Sequence, residues 1–163
     1  MTNPTPRSTT PSGRIPSAPV VISTVYAFCV VVPLMYLTLV VALGLDPNGP
    51  DTALQEILAV GVVGTTALAI GVLPGLLYLT KSDFSSRIGA IVYGALSLLT
   101  IVLFWSGAPG VFGAVAAWLG GLTRGRTLYR GAPRVFAIIG LCIAILNATV
   151  SATWSVIGAL VPH

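Results

Sequence analysis

Long stretches without a charged residue are the feature that most constrains how this chain folds. Between residues 19 and 162 such stretches recur, and they are long enough to contain membrane-crossing segments. A bilayer core about 30 Å thick needs about 20 apolar residues per helical crossing. Of the 163 residues, 55% are hydrophobic and 7% are charged, whereas an ordinary soluble domain is about 25% charged. The sequence therefore predicts an all-α, polytopic helical membrane bundle.

Turn-forming and charged segments divide the apolar part into five predicted transmembrane helices. LDPNGPD at 45–51 separates the first two, and TKSDFSSR at 80–87 separates the second from the third. After SGAPG at 106–110 the next apolar segment, 111–123, is short for a full crossing. Pro109 and the neighbouring glycines predict a tight external turn before it. The predicted spans are about 20–45, 53–79, 88–105, 108–123 and 135–160.

The charges that flank these spans predict how the chain is threaded. Cytoplasmic loops are enriched in Lys and Arg, and these residues occur in the N-terminal segment, at Lys81 and Arg87, and over 124–134. The loop from Asp46 to Glu56 has three acidic residues and no basic one. We therefore expect the N-terminus inside and the C-terminus outside. Four spans are the main alternative, and a re-entrant hairpin over 106–123 keeps the same basic loops on one side.

The N-terminal residues 1–19 differ in composition from the rest. They hold five prolines and too few apolar side chains to offset the entropy of folding, so we expect a disordered cytoplasmic tail. The apolar run that follows, to Leu45, exceeds the roughly 7 to 15 residues of a signal-peptide core. We expect it to be retained as a span, which makes 20–162 a single transmembrane domain. Pro33 and Pro74 predict kinks in the first two spans.

Small residues recur at every fourth position of the last predicted span. Helices in lipid associate through close packing and interhelical hydrogen bonds, so such a stripe predicts a contact face. Asn147 is the most polar side chain well inside a span, and an interhelical hydrogen bond or a substrate or ion site would each account for it. Packing within the bundle and contact with another protein both remain open. The predicted helix-packing face is Gly140, Ala144, Asn147, Ala148, Ser151 and Ala152.

The sequence offers little for catalysis. The only histidine is His163, and there is no G-x-S-x-G motif, whereas an activated nucleophile needs a nearby base. Cys29 and Cys142 have no metal-site spacing. We expect no enzyme, no metal site and no cofactor. The four acidic residues are Asp46, Asp51, Glu56 and Asp83.

An arginine-rich loop stands before the last predicted span, in GLTRGRTLYRGAPR at 121–134. Such loops fix the orientation of a membrane protein. The same side chains can bind anionic lipid headgroups, each contributing about 1 kcal/mol near a charged leaflet. The two roles are compatible, and both are predicted for this loop. Its arginines are Arg124, Arg126, Arg130 and Arg134.

Residues 86–160 resemble a module of small bacterial, often actinobacterial, membrane proteins of unknown function. The shared parts are the Gly-rich apolar hairpin GAPGVFGAVAAWLGGL, the Arg/Gly-rich loop TRGRTLYRGAPR, and AIIGLCIAIL in the last span. The segment Pro133–Phe136 departs from the module, which continues its Gly-rich approach there. The resemblance implies an architecture and no activity.

Together these features predict a non-catalytic, multi-pass cell-membrane protein that acts through helix packing as an accessory, assembly or scaffolding subunit. The expected partners are membrane lipids, including anionic ones, and other membrane proteins or further copies of the chain. Nucleic acid is not expected, because topology accounts for the basic residues. The alternative is a small oligomeric transporter or channel component with a weakly polar path past Asn147, Thr149 and Ser151. The middle of each predicted span lacks Asp, Glu, Lys, Arg and His, which disfavours ion-coupled transport.

Overall fold

Helices account for almost all of the chain that the structure describes. The computed structural model describes residues 17–45, 50–123 and 129–160, and these residues include no β-strand. Four of their helices are long and apolar enough to cross a membrane, and a fifth has 12 residues. The predicted all-α membrane fold is therefore confirmed. The helices are α1 (Ala18–Ala42), α2 (Asp51–Leu79), α3 (Asp83–Ser106), α4 (Ala108–Leu119) and α5 (Ala132–Leu160).

Each predicted span overlaps one of these helices, with shifts at the ends. Helix α1 begins at Ala18, within the predicted tail, and α3 begins at Asp83, before its predicted start. Ser82 caps α3, because its Oγ accepts a hydrogen bond from the Ser85 backbone N–H at 3.1 Å. The rest of the predicted tail (1–16), with Asp46, Arg124, Arg126 and His163, lies outside the described residues.

Successive helices run in opposite directions, which separates the charges by bundle end. The start of α2, with Asp51 and Glu56, lies at what we call the acidic end. The α2–α3 connection lies at the opposite, basic end, and so does the start of α5, because α5 packs antiparallel to α4. Arg87 of α3 lies over the ring of Tyr129, just before α5, at 4.9 Å from the ring centroid. The described basic residues of this end are Lys81, Arg87, Arg130 and Arg134.

Helix α4 is the core of the bundle. Every one of its residues is buried, and α1, α2, α3 and α5 all pack against it. A helix that is apolar on all sides is stable only when it is enclosed, and the residues of α4 are Ala, Gly, Val, Leu, Pro, Phe and Trp. At 12 residues it is about 18 Å long. It therefore extends along only part of the length of its neighbours.

The turn between α3 and α4 lies beside the middle of the long helices. A Cβ placed on Gly107 would lie 2.6 Å from the backbone oxygen of Cys29, near the middle of α1. A Cβ placed on Gly64, near the middle of α2, would lie 3.1 Å from the backbone oxygen of Ser106. Gly107 adopts a φ of 75°, a conformation that favours glycine. The turn is therefore enclosed by protein, which differs from the exposed turn expected around Pro109.

The small size of the residues in the turn accounts for its enclosure. Only glycine and other small residues let three helices approach a chain reversal this closely. The geometry is that of the re-entrant alternative, since the hairpin of α3 and α4 reverses inside the bundle. Four described helices reach spanning length, and the five-span count with its orientation stays a prediction.

Pro33 in α1 and Pro74 in α2 each lie near a wider, π-helical turn, and Pro74 also accounts for a hydrogen bond between α2 and α3. Each of the two prolines lies beside a π-helical turn, Ala27–Val31 in α1 and Gly75–Leu79 in α2. Pro74 has no N–H, so the carbonyl of Ile70 loses its ordinary helical donor. The hydroxyl of Tyr93 in α3 donates to that carbonyl at 2.7 Å. An unpaired carbonyl in hydrocarbon is costly, so the hydrogen bond from Tyr93 replaces the helical hydrogen bond that Pro74 removes from α2.

Replacing Tyr93 by Phe should lower the free energy of unfolding by about 1 kcal/mol, because it leaves the Ile70 carbonyl unpaired. In a Pro74→Ala background residue 74 regains its N–H, so the same substitution should have little effect. A double-mutant cycle measured by denaturant unfolding in mixed micelles tests this coupling. Tyr26→Phe is the matched control, since Tyr26 bonds to the Thr65 side chain at 3.0 Å. If Tyr93→Phe lowered the free energy of unfolding equally in both backgrounds, the Tyr93 hydrogen bond would not depend on Pro74, and the explanation would fail.

Glycine faces glycine where α4 crosses α5. A Cβ placed on Gly113 would collide with the backbone oxygen of Gly140, and one placed on Gly140 would lie 2.9 Å from the oxygen of Gly113. Real Cβ atoms do not approach backbone that closely, so both positions need glycine here. The crossing fixes how deeply α4 sits against α5.

Gly113→Ala should destabilise the bundle by about 1 to 3 kcal/mol through overpacking. Gly61→Ala in α2 is the matched control, because its new methyl group would meet Leu34 at 3.8 Å, an ordinary contact. That control should be neutral or stabilising by up to about 1 kcal/mol, since Ala is the better helix former. Thermal unfolding in detergent measures both. Similar melting temperatures for the two variants would refute the close crossing.

The outer faces of the long helices are apolar. Among the most exposed side chains are Val102 at 82% and Leu160 at 75% exposure. Large apolar residues on the outside suit contact with lipid tails or with other membrane helices. The fold and its exterior together identify a multi-pass helical membrane protein.

Candidate functional site

A cavity of about 740 Å³ occupies the bundle next to the acidic end. It lies between α1, α2 and α5, and Phe104 and Trp105 at the end of α3 line it. These two residues precede the buried α3–α4 turn, so they close the cavity toward the middle of the bundle. Helix α4 fills the bundle on the other side of that turn. The cavity therefore lies on the side of the turn that α4 does not occupy.

The lining of the cavity changes from apolar to polar along its depth. Near the turn it is lined by Phe104, Val60 and Val150. Toward the acidic end it is lined by the first turns of α2, which contribute Thr52, Gln55 and Glu56. Because α2 begins at the acidic end, these three residues mark the mouth. The cavity thus has a largely apolar floor, with the hydroxyl of Ser151 beside Val150, and a polar mouth with a carboxylate. Its other polar or aromatic lining residues are Tyr36, Trp105, Ser151, Trp154 and Ser155.

Asn147 lies just beyond the floor of this cavity and is 0% exposed. Its Nδ2 donates to the backbone oxygen of Phe104 at 2.9 Å. Its Oδ1 accepts no hydrogen bond from the described residues. A Cβ placed on Gly110 would lie 2.7 Å from this Oδ1 and 2.8 Å from Cys29 Sγ. Asn147 therefore attaches the α3–α4 turn to α5 at the middle of the bundle.

The other residues of the predicted helix-packing face lie toward the interior of their own bundle. Gly140 meets Gly113 of α4, and Ala144 is fully buried in the core. Ala148 packs against the edge of the core, whereas Ser151 lines the cavity. Ala152 is half-buried. The stripe contacts α4 on the basic side of the turn and borders the cavity on the acidic side.

The arginine-rich loop is described only in part. Arg130 and Arg134 are exposed at the basic end, and Arg124 and Arg126 lie outside the described residues. Tyr129 donates from its hydroxyl to Asp83 Oδ1 at 3.1 Å. This bond and the contact of Arg87 with the Tyr129 ring place two basic segments, 81–87 and 129–134, side by side.

Groups for metal binding or nucleophilic chemistry are sparse in the described part of the chain. Among the described residues there is no cluster of three His, Cys, Asp or Glu that could hold a metal ion. Cys29 is a buried free thiol, and Cys142 is an exposed one on α5. The described cavity therefore offers binding surface, one carboxylate and several hydroxyl groups.

The comparisons with known proteins leave the function to be inferred from this geometry. No protein-family model matches the chain, and no curated protein or solved structure matches it. The resemblance of 86–160 to a bacterial membrane module remains a prediction from the sequence.

Replacing Asn147 by Leu should lower the free energy of unfolding by about 0.6 to 2 kcal/mol, because the bond to the Phe104 carbonyl is lost. Thr149→Val is the matched control on the same helix, since Thr149 bonds only within its own turn, to the Ile145 oxygen at 2.8 Å. We expect almost no change for the control. Denaturant unfolding in mixed micelles compares the two, and equal stabilities would show that Asn147 does not hold the turn.

Proposed function

We propose that this chain is a non-catalytic protein of the cell membrane that acts by packing and binding, as an accessory, assembly or scaffolding subunit. The observation that carries the proposal is the wholly buried helix α4. It gives the bundle a close-packed interior of small and apolar residues, on which four long helices are fixed. Such a scaffold suits a protein that presents a defined surface to other membrane components.

The surface offered to a partner differs from the one that the sequence suggests. The stripe around Gly140 and Ala144 is occupied by α4 of the same chain. A partner helix or a second copy would therefore contact the outward faces of the long helices. Those faces carry large apolar residues, including Leu99 and Val102 of α3 and Ile145 and Leu146 of α5.

Anionic lipids are proposed as a second class of partner. Arg130 and Arg134 are exposed at the basic end, and Arg87 lies close by through its contact with Tyr129. Basic clusters next to membrane helices attract anionic headgroups. The same charges favour cytoplasmic placement of this end.

A transporter or channel component is the second candidate, and the cavity favours it. The cavity extends from the acidic end to the middle of the bundle and includes Ser151. Beyond the turn, however, α4 fills the described bundle with apolar residues. A path through the bundle would require α4 to move, whereas the scaffolding role requires no such movement. We therefore place the scaffolding role first.

Gentle detergent extraction of the tagged chain from its native membrane, followed by native sizing and mass spectrometry, tests the proposal. We expect a membrane protein to co-purify in stoichiometric amount. Two double variants compare two outer faces: Leu99→Ala with Val102→Ala on α3, and Ile145→Ala with Leu146→Ala on α5. If only one double variant fails to co-purify the partner protein, its face is the contact. Recovery of the chain alone, at the size of a monomer, would reject an accessory role.

A further inference from the structure

Aromatic side chains and one carboxylate share the cavity at the acidic end. Trp105, Trp154 and Tyr36 line it together with Glu56. Trp154 is 73% exposed and Trp105 is 53% exposed, so neither ring is used up by packing within the bundle. The faces of aromatic rings attract cations. A carboxylate that lines the same cavity adds a negative charge to the attraction.

The surroundings of the cavity carry no compensating positive charge in the described chain. No Lys or Arg lines the cavity, and the described basic residues all lie at the opposite end of the bundle. Asp51 lies five residues before Glu56 on the same helix, so it adds a second negative charge near the mouth. Low-dielectric walls lined by one sign of charge concentrate ions of the other sign. The cavity therefore selects against anions.

The floor of the cavity determines the rest of the ligand. Phe104, Val60 and Val150 are apolar, and the nearest polar side chain beyond them, Asn147, is fully buried. A small hydrated metal ion would gain nothing from such a floor. A volume of about 740 Å³ falls within the roughly 300 to 1,000 Å³ of sites for organic ligands.

We propose that this cavity binds a lipophilic organic cation, with its charged centre near Glu56 and the aromatic rings and its apolar groups against the floor. Quaternary ammonium and phosphonium compounds have this chemistry, because their charge is diffuse and weakly hydrated. The site is complete within one chain. It is therefore independent of the accessory role, and either can fail without the other.

Equilibrium dialysis of the purified full-length chain in nanodiscs of phosphatidylcholine tests the site. The probes are tetraphenylphosphonium and tetraphenylborate, which have nearly the same shape and opposite charge. Empty nanodiscs measure partition of each probe into lipid. We expect saturable binding of one tetraphenylphosphonium per chain above that background and no saturable binding of tetraphenylborate. Absence of saturable tetraphenylphosphonium binding, or equal binding of both probes, would overturn the proposal.

Two pairs of variants assign the binding to this cavity. Glu56→Gln should weaken tetraphenylphosphonium binding by about tenfold, whereas Asp51→Asn, whose side chain does not line the cavity, should change it by less than about threefold. Ala59→Phe should fill the cavity and abolish binding, and Leu58→Phe, on an exposed position of the same helix, should not. All four substitutions lie near the exposed start of α2, and thermal unfolding confirms that each variant is folded. Undiminished binding by Glu56→Gln or by folded Ala59→Phe would place the cation elsewhere and reject the site.

Discussion

A chain reversal in the middle of a membrane-type bundle depends on satisfying its backbone polar groups. Lipid offers no hydrogen bonds, so non-helical backbone is tolerated there only when protein encloses it. Ser106 donates to the Leu103 oxygen at 2.6 Å and accepts from the Ala108 N–H at 3.3 Å, and Asn147 donates to the Phe104 oxygen. These bonds stabilise the α3–α4 turn. The enclosure of α4 and the position of the cavity both follow from where that turn lies.

Small residues make the enclosure possible. Gly107 meets α1, Gly113 meets α5, and glycines of α2 meet the side chains of α4, with Gly71 against Val115 and Gly75 against Trp118. Close packing of this kind is the main attraction between helices in lipid. The half of the bundle around α4 is consequently dense, and the half beyond the turn holds a cavity. The dense half stabilises the bundle, and the proposed binding site lies in the other half.

The positions of the long helices could be predicted from the sequence because charged and turn-forming residues mark the ends of the apolar runs. LDPNGPD and TKSDFSSR are two such boundaries. The sequence left the enclosed turn only as the re-entrant alternative, because GAPG is equally typical of an external turn and of a close helix contact. The length of the run after it was the available signal, since apolar helices of about 10 to 14 residues are often buried core helices. The cavity could not be predicted, because Glu56 and Trp154 are distant in sequence and meet only through the fold.

The burial of α4 also constrains how the protein is made. A nascent chain emerges in order, so α4 leaves the ribosome before α5 exists to cover it. Helix α4, at 12 residues, is short of the roughly 20 that a crossing needs. Its crossing with α5 requires Gly113 against Gly140. Until α5 is synthesised, α4 has only α1, α2 and α3 of the same chain to pack against. Helix α5 completes the enclosure of α4, so a chain truncated before Ala132 would lack the helix that covers the core.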